Sequence, residues 1–417
     1  MYDNSSRTVS DGTFKGGSIE RGLAVARKVD HRLRNNLTPT ADWYTSEDVL
    51  NLEMDRIFSS TWQLVGGVHE VAEPGQFKVI PITGQGEFII TRDSSGVLRA
   101  LANVCSHRGM LIAEGSGSCG VFRCGYHGWA YDLDGSLRNG PSLREISGFN
   151  SLKYALVPAA IETWGAFVFI NPNPEAPPLQ DFLDPLPEVL ATYGINFEAV
   201  GLSGITKSVD LEFNCNWKIA VENSIECYHC STVHHGFRAM VDLPSWQISM
   251  KNSLIVQGTK VRRQGDLVGA GPGEAPAGQI AASVIDTQEG MDDAMFHMMF
   301  PNNSISLWPG PADSFNFARW VPLTPHRTRW ISTRWWPAGT DQRLIDDQWE
   351  FMASVGSEDI AVIEGVHKGM CSGSFAGGPY ILHSHDSDLD SRIMTRDERG
   401  PLRLNQLIVR ALCQDND

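Results

Sequence analysis

The sequence predicts an α+β protein in which a small antiparallel β domain precedes a larger domain of antiparallel sheet and helices. Up to Phe58 the apolar residues recur at helical spacing, and from Thr61 they gather into short runs rich in Val, Ile, Phe and Tyr, separated by turns. Beyond residue 200 longer strand-like runs come first and a long helical tract follows. A chain of 417 residues accommodates two such units.

Residues 1–58 read as an arm and helices that pack on the later domain. "ERGLAVARKVDHRL" is helix-like, and "TSEDVLNLEMDRIF" reads as a helix capped by Thr45 and Asp48, with Leu50, Met54, Ile57 and Phe58 as its apolar stripe. Residues 59–165 form the β domain: "QFKVIPI", "GEFIITRD", "LRALANV" and "VFRCGYHGWAYD" are strands, with turns such as "SSG" and "LDGS" between them. Residues 166–417 form the larger domain. After the strand "AFVFI", the Pro-rich "INPNPEAPPLQDFLDPLPEVL" reads as a connection over a surface. Then come the strand "GITKSVDLEF", the helix-like "NCNWKIAVENSIECYH", and strands in "NSLIVQGTKVRR", "SISLWPG", "SFNFARWVPL" and "RTRWISTRWWPAG". The tract "DQRLIDDQWEFMASVGSEDIAVIEGVHKGM" is a long helix, and the Gly- and Ala-rich residues 265–290 are expected to be a mobile loop or lid.

A formal net charge of -15 argues against nucleic acid or an anionic membrane as partner. No stretch approaches the ~20 apolar residues of a membrane span. The amino-terminal "MYDNSSRTVSDGTFKGG" lacks the apolar centre of a secretory signal, so the expected compartment is the cytoplasm. Eight cysteines are too sparse for a disulfide scaffold, and in a reducing compartment Cys clustered with His reads first as metal ligation.

Cys105 and His107 make C-x-H, Cys124 and His127 make C-x-x-H, and sixteen residues separate the pairs. A structural zinc site uses the same ligand types. A plant-type ferredoxin wants Cys at position 127, where this chain has His. A Rieske [2Fe-2S] centre wants two Cys on one iron and two His on the other, and the Gly turns and β-rich surroundings fit it. Cys119 is left over and reads as a free buried thiol on the intervening loop. The segment "NVCSHRGMLIAEGSGSCGVFRCGYHGWAYDLDG" resembles the Rieske segment of the Rieske non-heme iron, or ring-hydroxylating, oxygenases. Their large subunit pairs the cluster domain with a catalytic domain of helix-grip type holding a mononuclear iron.

In "NWKIAVENSIECYHCSTVHH" the histidines His229 and His234 are five apart, so both reach one metal only if the helix breaks, and a break is expected after His229. Trp217, Val221, Ile225 and Tyr228 form an opposite, core-like stripe. Glu222, Glu226 and His229 fall at i, i+4 and i+7, a solvated polar face unless a cation offsets the two acids. Oxygen-activating iron commonly sits between two His and one carboxylate. Asp359 is the candidate third ligand, because a helix in "SEDIAVIEGVHKG" puts it on one stripe with Val362, Ile363 and Val366.

The resemblance implies that His229, His234 and Asp359 ligate Fe(II), and that Glu226 bridges an iron-ligand histidine to a neighbouring subunit's cluster histidine, which corresponds to His127. The resemblance, with this cross-subunit bridge, also implies a homotrimer. Glutamate in "ECYHC", where ring dioxygenases usually have aspartate, resembles the branch acting on quaternary or tertiary amines. Electrons are then expected from NAD(P)H through a separate reductase, directly or by way of a ferredoxin, since the chain has no flavin or nicotinamide fingerprint. The implied reaction uses O2 to hydroxylate a small substrate, with N-demethylation releasing formaldehyde. Trp308, Phe315, Phe317 and Trp320 lie in the sheet region expected to line the pocket, where aromatic faces would hold a cationic ammonium. Two alternatives stay open: an aromatic-ring dioxygenase alpha subunit, and a non-catalytic Rieske electron carrier.

Overall fold

A computed structural model describes residues 16–191, 204–262, 293–309, 314–383 and 396–414. The chain divides into two compact units, one centred on Met54–Asp184 and the other combining Gly17–Glu53 with Ser203–Asp417. The Gly- and Ala-rich segment 265–290 lies outside the described residues.

The first unit is mainly β. Strands β1 (Gln63–Gly67), β2 (Gln76–Ile82), β3 (Gly86–Arg92), β4 (Leu98–Ala102), β5 (Ser116–Ser118), β9 (Pro158–Trp164) and β10 (Phe167–Asn171) form one sheet, ordered β1-β10-β9-β4-β3-β2-β5. A smaller sheet joins β6 (Phe122–Arg123), β7 (Ala130–Tyr131) and β8 (Leu137–Asn139). Ile89, Leu101, Phe122, Trp129, Tyr131 and Leu156 pack in a core that also holds Cys105 and Cys124. The expected division after residue 165 falls inside a hairpin: β9 and β10 pair from Trp164↔Phe167 to Ala160↔Asn171, so the β unit continues beyond it. The Pro-rich passage contains two short helices, α4 (Leu179–Leu183) and α5 (Leu186–Ala191).

In the second unit, β11 (Gly204–Phe213), β12 (Gln247–Lys251), β13 (Leu254–Lys260), β14 (Asp293–Met299), β15 (Asn303–Trp308), β16 (Ser314–Thr324) and β17 (Arg327–Pro337) form an antiparallel sheet ordered β11-β17-β16-β15-β14-β13-β12. The long helix Gln342–Met370 packs on one face, where Trp336 Nε1 donates to Gln348 Oε1 at 2.6 Å. Its N-cap is Asp341, whose side chain accepts the Arg343 N–H. Helices α1 (Gly16–Leu33), α2 (Asp42–Thr45) and α3 (Glu47–Glu53) are fastened to this unit by polar contacts. Trp43 Nε1 donates to Asn405 Oδ1 at 2.7 Å, on the terminal helix Arg399–Cys413. Glu53 and Lys218 pair at 2.5 Å with both side chains almost fully buried.

The expected helix over residues 45–58 is α-helical only to Glu53, and Met54–Phe58 widens into a π-helical turn. Its cap is Ser46, not Thr45: Ser46 Oγ accepts the Asp48 N–H at 3.2 Å, while the Asp48 carboxylate turns to Arg21. Leu50, Ile57 and Phe58 are buried as the stripe requires.

Candidate metal centres and the adjoining cavity

The loops Cys105–Gly109 and Cys124–Gly128 share one construction. Gly109 N–H donates to Cys105 O at 3.0 Å, and Gly128 N–H to Cys124 O at 3.1 Å. Both glycines hold a positive φ, +76° and +71°, open to a residue without Cβ. The two cysteines are buried, and the histidine rings meet nearer the surface with centroids 4.6 Å apart. Trp129 stacks on His107 at 4.8 Å, and the Tyr131 hydroxyl lies 3.2 Å from Cys105 Sγ. His127 Nδ1 is buried with no hydrogen-bond partner among the described residues, as expected of an atom that faces a metal. Two inner thiolates and two outer imidazoles are the donor set of a Rieske cluster. Cys119 stands apart from this set, unpaired and half-buried, with burial pushing its thiol pKa up.

The second set is assembled by a broken helix. Helix α6 (Trp217–Ser224) is capped by Asn216, whose side chain accepts the Lys218 N–H, and it ends before Glu226. The break thus comes earlier than expected. The Glu226 carboxylate accepts the backbone N–H groups of Tyr228 and His229, donors that a continuing helix would have used. With the helical period gone, Tyr228 leaves the predicted core stripe and is exposed, whereas Trp217, Val221 and Ile225 are buried. Two short helices, α7 (Cys230–Val233) and α8 (His235–Met240), meet at His234. Cys227 and Cys230 are buried and joined by a disulfide that brackets His229, a pairing the sequence analysis did not make.

His229 Nε2 lies 3.2 Å from His234 Nε2, and Asp359 Oδ1 lies 3.4 Å from the first and 3.0 Å from the second. These three atoms form a group able to hold a metal ion. Asp359 comes from the long helix, whose inward stripe includes Ile363, but Val366 is exposed, so the stripe is shorter than expected. The outer nitrogens are held as well. Glu226 Oε1 accepts from His229 Nδ1, and Glu358 Oε2 accepts from His234 Nδ1 at 2.8 Å, which leaves each Nε2 to face the centre. Glu358 was missed in the sequence; its signal was adjacency to Asp359 in "SEDI". Burial disfavours a charged His229, but contacts with Asp359 and Glu226 outweigh it and carry the pKa up to about 9. His234 is raised and Asp359 lowered against burial by the same mutual contacts. A site that favours positive charge this strongly suits a cation, and two imidazoles with one carboxylate suit ferrous iron.

Asp359 also forms part of the wall of a cavity of about 340 Å³ between the sheet and the long helix. Trp320 lines it, together with Trp330, Trp349 and Arg334. The other three aromatics expected there do not. Side chains alternate along a strand: Asn316, Ala318 and Trp320 of β16 face the cavity, while Phe315 and Phe317 pack around Trp335 instead. Trp308 is buried in a separate cluster with Phe237 and Phe351. Arg334, found only in the structure, donates to Ser314 Oγ at 2.9 Å and has no carboxylate partner among the described residues. Burial lowers its pKa to about 10.

Residues 61–153 match the family described as "Rieske [2Fe-2S] domain", and residues 204–411 match "Ring hydroxylating alpha subunit (catalytic domain)". The chloroplastic choline monooxygenase of Arabidopsis thaliana is 26% identical over 361 residues, spanning 83% of this chain and 79% of that protein. The carnitine monooxygenase oxygenase subunit of Acinetobacter pittii is 32% identical over 212 residues, spanning 50% of this chain and 56% of that one. In fold, the chain is similar to the quaternary ammonium Rieske monooxygenase CntA, with TM-score 0.74, 24% identity, and 90% and 95% of the two chains covered. It is likewise similar to naphthalene 1,2-dioxygenase from Rhodococcus, with TM-score 0.77, 17% identity, and 95% and 99% covered.

Proposed function

Because the chain belongs to the family of Rieske-type oxygenase large subunits, oxidoreductases that use dioxygen, we propose that it hydroxylates a small quaternary or tertiary amine that also carries an anionic group. Its electrons come from NAD(P)H through a separate reductase. The observation that carries the substrate class is the cavity beside Asp359, which combines tryptophan faces with one buried, acid-free arginine. Trp320, Trp330 and Trp349 offer π faces to a methylated ammonium, worth about 0.5–2 kcal/mol each. Arg334 offers a forked donor to a carboxylate at the substrate's other end. The names of the choline and carnitine relatives support an amine substrate, and so does glutamate at position 226.

Cys105, His107, Cys124 and His127 hold the cluster in this reading, and His229, His234 and Asp359 hold the iron. When bound, the cluster supplies single electrons and the iron supplies oxygen activation. Glu226 and Glu358 keep the two ligand imidazoles in the tautomer that presents Nε2 inward. The cavity walls set which C–H bond stands beside Asp359. One oxygen atom enters an N-methyl C–H bond, and the other is reduced to water by two electrons and two protons. The N-hydroxymethyl group then breaks at C–N and leaves as formaldehyde.

The test is turnover of the holoprotein with NADH and a generic reductase on carboxylated betaines, choline and simple arenes. Formaldehyde formed in proportion to NADH with a betaine supports the reading. Diols from arenes without formaldehyde would replace it by ring dihydroxylation.

A further inference from the structure

The turn joining β16 to β17 brings His326 against the last turn of the long helix, where His367 and Cys371 stand four residues apart on one side. His326 Nδ1 is 2.9 Å from His367 Nε2, and Cys371 Sγ is 3.6 Å from His367 Nε2 and 3.8 Å from His326 Nδ1. Around a tetrahedral ion with bonds of about 2.05 Å to nitrogen and 2.3 Å to sulfur, two nitrogens stand about 3.3 Å apart and nitrogen and sulfur about 3.6 Å apart. The observed triangle is of that size. It is slightly larger than the one made by His229, His234 and Asp359, whose sides are 3.0, 3.2 and 3.4 Å, in keeping with the longer metal–sulfur bond.

The surroundings favour a bound cation over a bare pair of imidazoles. The carbonyl end of the long helix points here, and its partial negative charge attracts positive charge. His367 is 4% exposed, so its imidazole is fixed below the surface between the turn and the helix. His326 and Cys371 are exposed, so a metal has an entry path and an open fourth position. Along the long helix, His367 lies about 12 Å beyond Asp359, too far to share its ion.

We propose that His326, His367 and Cys371 form a second metal site, distinct from the iron centre, for a borderline-soft divalent transition metal of the zinc type. Two imidazoles and a thiolate select such an ion over magnesium or calcium. The bound ion ties the β16–β17 turn to the end of the helix. This inference does not depend on the proposed substrate.

The test uses holoprotein with a full Rieske cluster, so that Cys105 and Cys124 are occupied. After a weak chelator has cleared loosely held metal, Zn²⁺ is titrated, zinc is counted per chain, and zinc K-edge X-ray absorption reads the ligands. One zinc per chain is expected, with a sulfur neighbour near 2.3 Å and a rise in thermal midpoint. Cys371→Ser and His326→Ala are each expected to weaken zinc binding at least ~10-fold, with cluster absorbance and oxygenase turnover unchanged. Zinc bound equally by wild type and Cys371→Ser would overturn the proposal. So would zinc surrounded by nitrogen and oxygen alone, the signature of occupancy at His229, His234 and Asp359, or no zinc bound at all.

Discussion

Glu226 accepts from the outer nitrogen of His229 and from two backbone N–H groups, so one carboxylate both ends the helix and aims the imidazole. Glu226→Gln keeps an acceptor there and removes the charge. We expect both metal centres to stay loaded while coupled formaldehyde release falls ~10- to 100-fold, read as product per NADH beside iron content; unchanged coupling would remove the residue from this role. Glu222, one turn earlier, does different work. It accepts from the Tyr44 hydroxyl at 2.9 Å and from Asn405 Nδ2 at 2.7 Å, yet burial raises its pKa from 4.5 to about 7. Between those values the folded protein binds a proton that the unfolded chain has released, so stability falls as pH climbs through the window and levels off above it. Glu222→Gln is expected to flatten that decline and to gain on the order of 2 kcal/mol above pH 7 in denaturant unfolding; an equally steep decline in the variant would place its origin elsewhere.

Alternation along β16 decides which aromatics face the cavity. Trp320 lies on the cavity face, and Phe317, an odd number of residues away, lies on the other, edge-on to Trp335 at 5.1 Å. For an ammonium substrate, Trp320→Leu should raise KM ~3- to 30-fold through loss of a cation–π contact. Phe317→Leu should leave KM alone and lower unfolding free energy by about 1–2 kcal/mol. Steady-state kinetics beside thermal denaturation separate the two, and a KM effect from Phe317→Leu would put the substrate on the wrong face of the sheet. The β-rich character and the long helix were legible because period-2 and period-3.6 patterns are local. Which face of β16 lies under the helix was not, since both faces carry large aromatics and only the pairing with β15 and β17 orients them.

The two candidate metal centres belong to different compact units, Cys105–His127 in the first and His229–Asp359 in the second. In the homotrimer that the family resemblance implies, electrons would pass from one subunit's His127 to another subunit's Glu226. Chains carrying Cys105→Ala have no cluster, and chains carrying Asp359→Ala lack an iron ligand; neither alone should turn over. Mixed oligomers assembled from equal amounts should recover roughly a quarter of wild-type turnover, because one interface in four joins a working donor to a working acceptor. No recovery in verified mixed oligomers would confine the electron path to a single chain. Among the described residues no helix is long and apolar enough to cross a membrane.

By itself the sequence supplied the donors, two Cys-and-His pairs, two histidines five apart and an aspartate on an apolar helical stripe, and the family resemblance assigned them to a cluster and an iron. The tertiary structure decided what depends on partners far apart in the chain. It set the helix break before Glu226, the hold of Glu358 on His234, and the disulfide around His229. It also retained Trp320 in the cavity wall, excluded Trp308, Phe315 and Phe317, and added Arg334. Ligand type is a property of single residues, whereas the direction of a side chain depends on strand register and on what packs against it.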